Sequence, residues 1–206
     1  MNSAEALATL LEYVRDAERE GDLVRAHGLL DGADDPLRHM GCWHFTRGAL
    51  AFRSGDVSRA IDAFERAVAL EPELAEFHAN LGAALFERAR RSGALESGAQ
   101  GSRDLSRALE VLEKAVTLSP KLPSVFNNLG LVRAACGHFE GALDAYDRAL
   151  QLDASNANAL YNRAAALHRL GCEEDCLACL DLLLQRHPDF APAKASRENT
   201  LRRLGR

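Results

Sequence analysis

The 206-residue chain carries 25 Lys and Arg against 30 Asp and Glu, a formal net charge of -5, with 47% hydrophobic and 27% charged residues. That balance excludes a disordered chain, and it argues against a nucleic-acid binder, which needs a net basic surface. Ala and Leu supply about a third of the residues, Val, Ile and Thr about a sixteenth and aromatics 6%, so the composition predicts an all-helical protein.

The chain begins Met1, Asn2, Ser3, Ala4, Glu5, with Glu12, Arg15, Asp16 and Glu18 following closely. A secretory signal would need a basic start and an apolar run there. No stretch reaches 18 consecutive apolar residues, so no membrane insertion is expected. The 5 cysteines are an odd number, which argues against a disulfide framework. These features predict a cytoplasmic protein.

Small residues recur with a period of 34: Gly21 and Gly55, Ala26 and Ala60, Gly48 and Gly82, Gly137 and Gly171. Aligned on an anchor occupied by Val14, Gly48, Gly82, Gly130 and Ala164, the chain divides into five units and a tail. Unit 7–40 has Val14 at the anchor and no Pro at its end, so it is a degenerate repeat or an N-terminal cap. Unit 41–74 carries Gly48, Gly55, Asp56, Ala60, Phe64, Ala67 and Pro72. Unit 75–122 leaves the register after Gly82 and resumes at Ala108, Leu112, Ala115 and Pro120, with about 14 residues inserted. The inserted stretch, 90–103, reads as a flexible surface loop or an added turn or two of the preceding helix, and as a candidate contact element. Unit 123–156 carries Gly130, Gly137, Ala142, Tyr146 and Ala149. Unit 157–190 carries Ala164, Gly171, Cys176, Leu180, Leu183 and Pro188. The tail, 191–206, is expected to form one capping helix with Ala195, Leu201 and Leu204 facing inward. Its Lys194, Arg197, Arg202, Arg203 and Arg206 outweigh Glu198, which suits a solvated helix or a patch that docks an acidic partner.

Each unit reads as helix–turn–helix. A small anchor lets two antiparallel helices approach, and the pattern predicts Ala60, Ala108 or Ala142 opposite it. Phe64, Leu112, Tyr146 and Leu180 are expected to fill the space between neighbouring helices. Glycine at the turn supplies the left-handed conformation that ends the first helix. Asp22, Asp56 and Asp104 are expected to cap the second helix, and Pro72, Pro120 and Pro188 to stop it.

This pattern closely resembles the tetratricopeptide repeat (TPR) family. The best stretches are Phe126 to Gly130 followed by Gly137, Ala142, Tyr146 and Ala149, and Gly48 followed by Ala60, Phe64, Ala67 and Pro72. The resemblance covers nearly the whole chain. It implies an all-α, right-handed superhelix, a single domain, whose first helices line a concave groove that holds a peptide or partner protein.

By that resemblance the groove positions lie three and two before the anchor and one, four and five after it, on one helical face. Two before it stand Glu12, Thr46, Asn80, Asn128 and Asn162. In families that hold extended peptides, an Asn ladder at the matching place clamps the peptide backbone, because one amide both donates and accepts. The plainer alternative is that these amides bond to their own helix. Neighbouring Asn127 also falls on this face. Phe45, Phe52, Phe86 and Tyr161 are candidate apolar pockets; Phe52 and Phe86 are the ones most expected to pack between repeats instead, with Phe45 and Tyr161 selecting partner side chains. Arg53 and Arg169 would bias for acidic groups, and His168 lies beside them. Relatives that grip a C-terminal carboxylate use lysines on these faces; this sequence has none there, which argues against that ligand.

Cys172, Cys176 and Cys179 have the spacing of a radical-SAM iron–sulfur motif, but they fall on a second helix where Cys176 replaces the packing Ala. Small buried hydrophobes explain them better than a metal site completed by His187 or Cys136. His44 and His78 share one register position, four before the anchor, and read as packing residues. No phosphate loop, nucleophile elbow or zinc-binding helix motif is present. The expectation is therefore a non-enzymatic adaptor with a protein or peptide partner, no cofactor, no metal and no nucleic acid. The alternatives are a self-associating structural or assembly subunit and, remotely, a metalloprotein built on the cysteines.

Overall fold

The computed structural model describes residues 3–93 and 103–206. These form helices and no strand: α1 (Ser3–Arg19), α2 (Leu23–Asp31), α3 (Asp35–Arg38), α4 (Gly41–Arg53), α5 (Val57–Leu70), α6 (Ala75–Arg91), α7 (Arg103–Leu118), α8 (Pro123–Ala135), α9 (Phe139–Leu152), α10 (Ala157–Arg169), α11 (Glu173–Arg186) and α12 (Ala191–Arg203). Helices pair in hairpins, α1 with α2, α4 with α5, α6 with α7, α8 with α9 and α10 with α11. Each second helix then packs on the next first helix, and α4, α6, α8 and α10 also touch one another in series. First helices therefore form one layer and second helices the other.

The turns show how four residues serve two helices. At the end of α4 the amide of Gly55 bonds the Phe52 carbonyl and the amide of Asp56 bonds the Ala51 carbonyl, at 3.1 and 2.9 Å. This 5→2, 6→1 pair needs a left-handed residue, and Gly55 has φ +86°. Asp56 then accepts the Arg59 amide at 3.0 Å and caps α5. Gly21 and Asp22 repeat the arrangement between α1 and α2.

Asp104 does not follow. It lies inside the first turn of α7, where Arg88 Nε and Nη2 donate to its two oxygens at 2.8 and 2.7 Å. The added length explains the change. The first helices α4, α8 and α10 each have 13 residues, whereas α6 has 17, one turn more. Arg88 on that extra turn reaches α7, and Arg91 donates to the Gly55 carbonyl of the preceding turn at 2.8 Å. The insertion thus contributes a helical turn through Arg91; residues 94–102 of the expected loop lie outside the described residues.

The anchor seam also differs from the expected small-against-small contact. A Cβ built on Gly48 would stand 2.7 Å from Phe64 Cδ1, on Gly82 2.5 Å from Leu112 Cγ, and on Gly130 2.4 Å from Tyr146 Cε1. The anchor glycine is the hole into which the bulky second-helix side chain fits; Ala60, Ala108 and Ala142 are buried elsewhere in the seam. Phe64, Leu112 and Tyr146 are at most 1% exposed, so they have no room to retreat.

Two registers tie one hairpin to the next. His78 Nε2 lies 2.8 Å from the Pro72 carbonyl, linking α6 to the preceding turn. Arg163 on α10 donates to Asp147 on α9 at 2.7 Å, and Arg197 on α12 donates to Asp181 on α11. The same spacing of sixteen residues brings Arg47 on α4 only to 3.9 Å from Asp31. The cause is local: α2 has 9 residues and ends at Asp31, whereas α9 has 14 and continues past Asp147.

The tail forms α12, but with a different face inward. Ala195 is exposed, and Leu201 and Leu204 are half-buried; Ala193 and Thr200 are the buried residues. Continuing the period of 34 from Ala159 and Ala166, both buried, gives Ala193 and Thr200. Thus α12 sits as another first helix. Three of the tail's basic residues bind back to α11: Arg197 pairs with Asp181, Arg203 with Glu173 and Arg206 with Glu174.

Candidate functional site

The residues expected to face the groove fall into three regions along the first helices. At the N-terminal end, a shallow depression is lined by Arg15, Glu18, Arg19 and Arg53. Arg53 Nη1 donates to Glu18 Oε1 at 2.8 Å and Arg19 Nη1 to Asp16 Oδ1 at 3.0 Å, while Arg15 has no ion pair among the described residues. Glu87 on α6 behaves likewise, accepting from Arg90 and Arg91 at 2.7–2.8 Å. The hydrogen bond from Arg90 is the largest cause that lowers its carboxyl pKa to about 2, with Arg91 adding to it.

The middle region is a depression of about 160 Å³ between α4, α6 and α8, lined by Phe52, Gly82, Ala83, Phe86, Glu87, Asn128, Leu131 and Val132. Phe52 is 37% exposed, and Phe86 packs partly against the central core. Asn128 is half-buried at its edge. Asn80, by contrast, donates to the Glu76 carbonyl of its own helix at 2.8 Å. Phe45 is not in this depression. It stacks on Phe77 at 4.8 Å and contacts Phe64 at 5.7 Å, inside the packing between α4, α5 and α6.

The C-terminal region holds a cavity with a buried floor. The cavity, of about 280 Å³, opens between α10, α11 and α12. Its floor is made by Ala164, Cys176, Leu180 and Thr200, all buried. Tyr161, Ala165, His168, Arg169, Ser196 and Asn199 form the walls and rim. Small side chains at Ala164, Ala165 and Ser196 leave the space open. Tyr161 packs on Phe190 at 5.5 Å, with its hydroxyl 3.4 Å from Ser196 Oγ. His168 Nδ1 lies 3.0 Å from Glu173 Oε2, and Arg203 Nε lies 2.7 Å from the other Glu173 oxygen. Arg169 stacks its guanidinium on Phe139 at 4.8 Å and has no carboxylate partner among the described residues.

Beside this cavity Asn162 Nδ2 donates to Asn127 Oδ1 at 3.0 Å across α10 and α8. The pairing leaves Asn162 Oδ1 to accept and Asn127 Nδ2 to donate. Ser196 and Asn199 were not anticipated as lining residues. Their signal was present: with the anchor period extended to Glu198, they fall two before and one after it.

The cysteines separate. Cys179 Sγ donates to the Leu160 carbonyl at 3.2 Å, Cys176 Sγ lies 3.7 Å from Thr200 Oγ1, and Cys172 is exposed at the start of α11. Burial pushes the Cys176 and Cys179 thiols up. Among the described residues no group of three His, Cys, Asp or Glu is placed to hold a metal ion, and no helix is long and apolar enough to cross a membrane.

A sequence profile of the TPR repeat matches residues 48–88 and 132–171. Both stretches carry the TPR repeat. The helices of the chain form a right-handed TPR superhelix. The solved structure of TTC0263, a thermophilic TPR protein of Thermus thermophilus, superposes with a TM-score of 0.75 at 19% identity, over 95% of this chain and 98% of that one. PilF of Pseudomonas aeruginosa gives 0.73 at 19% identity, over 98% and 93%. YrrB, described as a TPR protein with an unusual peptide-binding site, gives 0.68 at 19% identity, over 96% and 98%. At such identities the likeness is one of fold. Comparison with curated protein sequences returns no match.

Proposed function

We propose that this protein is a non-enzymatic adaptor that holds a segment of a partner protein along its first-helix groove, with recognition concentrated in the C-terminal half. The observation that carries this is the cavity of about 280 Å³ between α10, α11 and α12, with a buried, mainly apolar floor and a polar rim. Such a cavity suits one apolar side chain of the partner. The free oxygen of Asn162 and free amide of Asn127 suit its extended backbone, and Asn128 continues that row. Arg169, stacked but without an acid, suits an acidic group next to the inserted side chain. The peptide-binding description of YrrB agrees with this class of role. Phe52 and Phe86 offer a second, shallower contact; Arg53, bonded to Glu18, contributes little. The five free cysteines fit a reducing, cytoplasmic setting.

The test is affinity capture from the native host's lysate with two baits, wild type and Ala165→Trp. Ala165 is exposed at the cavity wall, so the indole fills the cavity without entering the core. A partner kept by wild type and lost by the variant, at equal helicity, supports the reading. A partner held equally by both baits contradicts it.

A further inference from the structure

A second cavity, of about 200 Å³, lies on the opposite side of α4 from Phe52 and Arg53. Its lining is His44, Arg47, Arg59, Asp62, Ala63 and Arg66. On α5 the last four follow the spacing i, i+3, i+4 and i+7, which places them on one face toward His44 and Arg47 of α4. Three guanidiniums thus share one cavity with a single carboxylate, in a chain whose net charge is -5.

These guanidiniums are weakly committed. Arg66 has no hydrogen bond or ion pair among the described residues. Arg59 Nε lies 3.6 Å from Asp56 Oδ2, a carboxylate already used as the α5 cap. Arg47 stacks over Trp43 at 5.3 Å and stands 3.9 Å from Asp31, whereas Arg163 at the same register closes to 2.7 Å on Asp147. The short α2 leaves Arg47 unclosed. His44, at the cavity wall, is 7% exposed and its Nδ1 has no hydrogen-bond partner.

We propose that this cavity is an oxyanion site for a phosphate monoester dianion. Guanidiniums from two helices offer donors from several directions, which matches a tetrahedral oxyanion better than a planar carboxylate, satisfied by one fork. Asp62 opposes the anion and sets a modest affinity. The phosphate arrives either as a free phosphorylated compound or as a phosphorylated side chain of a partner protein.

The His44 ring gives a local reporter. Burial lowers its pKa, Arg66, Arg47 and His39 lower it further, and a hydrogen bond to the Arg38 backbone opposes them. Asp62, Asp31 and Asp56 are the acids around the site. A bound dianion offsets the arginine field, so the His44 pKa rises.

The experiment is titration of the full chain at low ionic strength with inorganic phosphate, N-acetyl-phosphoserine amide and acetate, read by calorimetry and by NMR of the His44 ring. Phosphate is expected to raise the His44 pKa, and acetate to bind about tenfold more weakly or not at all. Arg66→Gln weakens phosphate about tenfold, and Asp62→Asn strengthens it about threefold at unchanged helicity. Tighter binding of phosphoserine amide than of phosphate assigns the site to a phosphorylated partner; the reverse assigns it to a free compound. Acetate binding as well as phosphate, an unmoved His44, or Arg66→Gln and Asp62→Asn both without effect would overturn the proposal.

Discussion

The two ends of the array solve opposite problems. At the N-terminal end Glu18 holds Arg53 on the inner face. The junction behind them is loose, because α2 stops at Asp31 and leaves Arg47 at 3.9 Å. At the C-terminal end the junctions are closed by Arg163–Asp147, Arg197–Asp181 and Arg206–Glu174. There the inner face stays open, with a cavity between α10 and α12 and an amide pair beside it. Small residues in front leave a pre-formed opening into which a partner side chain fits, which is what low-cost recognition requires.

The sharpest break of this contrast is in the anchor seam. Gly130→Ala pushes a methyl into the buried Tyr146 ring and is expected to cost about 1–3 kcal/mol, seen as a lower urea midpoint. Ala164→Gly, where the last repeat already carries the methyl, costs less, at about 1 kcal/mol. Equal losses would show that the glycine hole is not what seats Tyr146.

On the groove face, Asn162→Ala is expected to weaken a captured partner by about 0.5–1.5 kcal/mol in a direct binding titration. Asn80→Ala should change it by less than about 0.5 kcal/mol, since the Asn80 amide is bonded to Glu76. An equal loss at both positions would restore an even ladder along the whole array.

The pH response tests the charge pairing on α6, between the two ends. Glu87 is held at about 2 in the folded chain, below the ordinary carboxylate value of 4.5. A depressed folded pKa means its contribution is present above pH 4.5 and is lost as pH falls toward 2. Wild type should therefore lose its stability advantage over Glu87→Gln across that window; an advantage unchanged at pH 2 would contradict the assignment. The smallest effect is at Arg53→Ala, an exposed pair expected to cost about 0.2–1 kcal/mol in stability and to leave partner affinity unaltered.

The period of 34, the turn glycines and the fully buried Phe64, Tyr146 and Leu180 were legible in the sequence, because each follows from spacing alone. Which residue meets the anchor was not. Small-against-small and hole-against-knob use the same letters, and only the packing of Phe64 on Gly48 decides between them. Asp104 shows the same limit: an Asp before a helix reads as a cap until an extra turn of α6 brings Arg88 to it. Among groove residues, Phe45 belonged to the core because its neighbour Phe77 stacks on it, a contact between repeats that spacing within one repeat does not contain. Ser196 and Asn199 could have been found by carrying the register into the tail. The tail's positive charge hid this, since its partners Asp181 and Glu174 lie in the preceding helix.

The most direct test of the central claim is hydrogen exchange on the full chain, free and saturated with a partner captured by wild type. Binding in the C-terminal half of the groove predicts slowed exchange in α8, α10 and α12, with α1 and α4 unchanged. Protection confined to α1 and α4, with α10 and α12 exchanging as in the free chain, would contradict it.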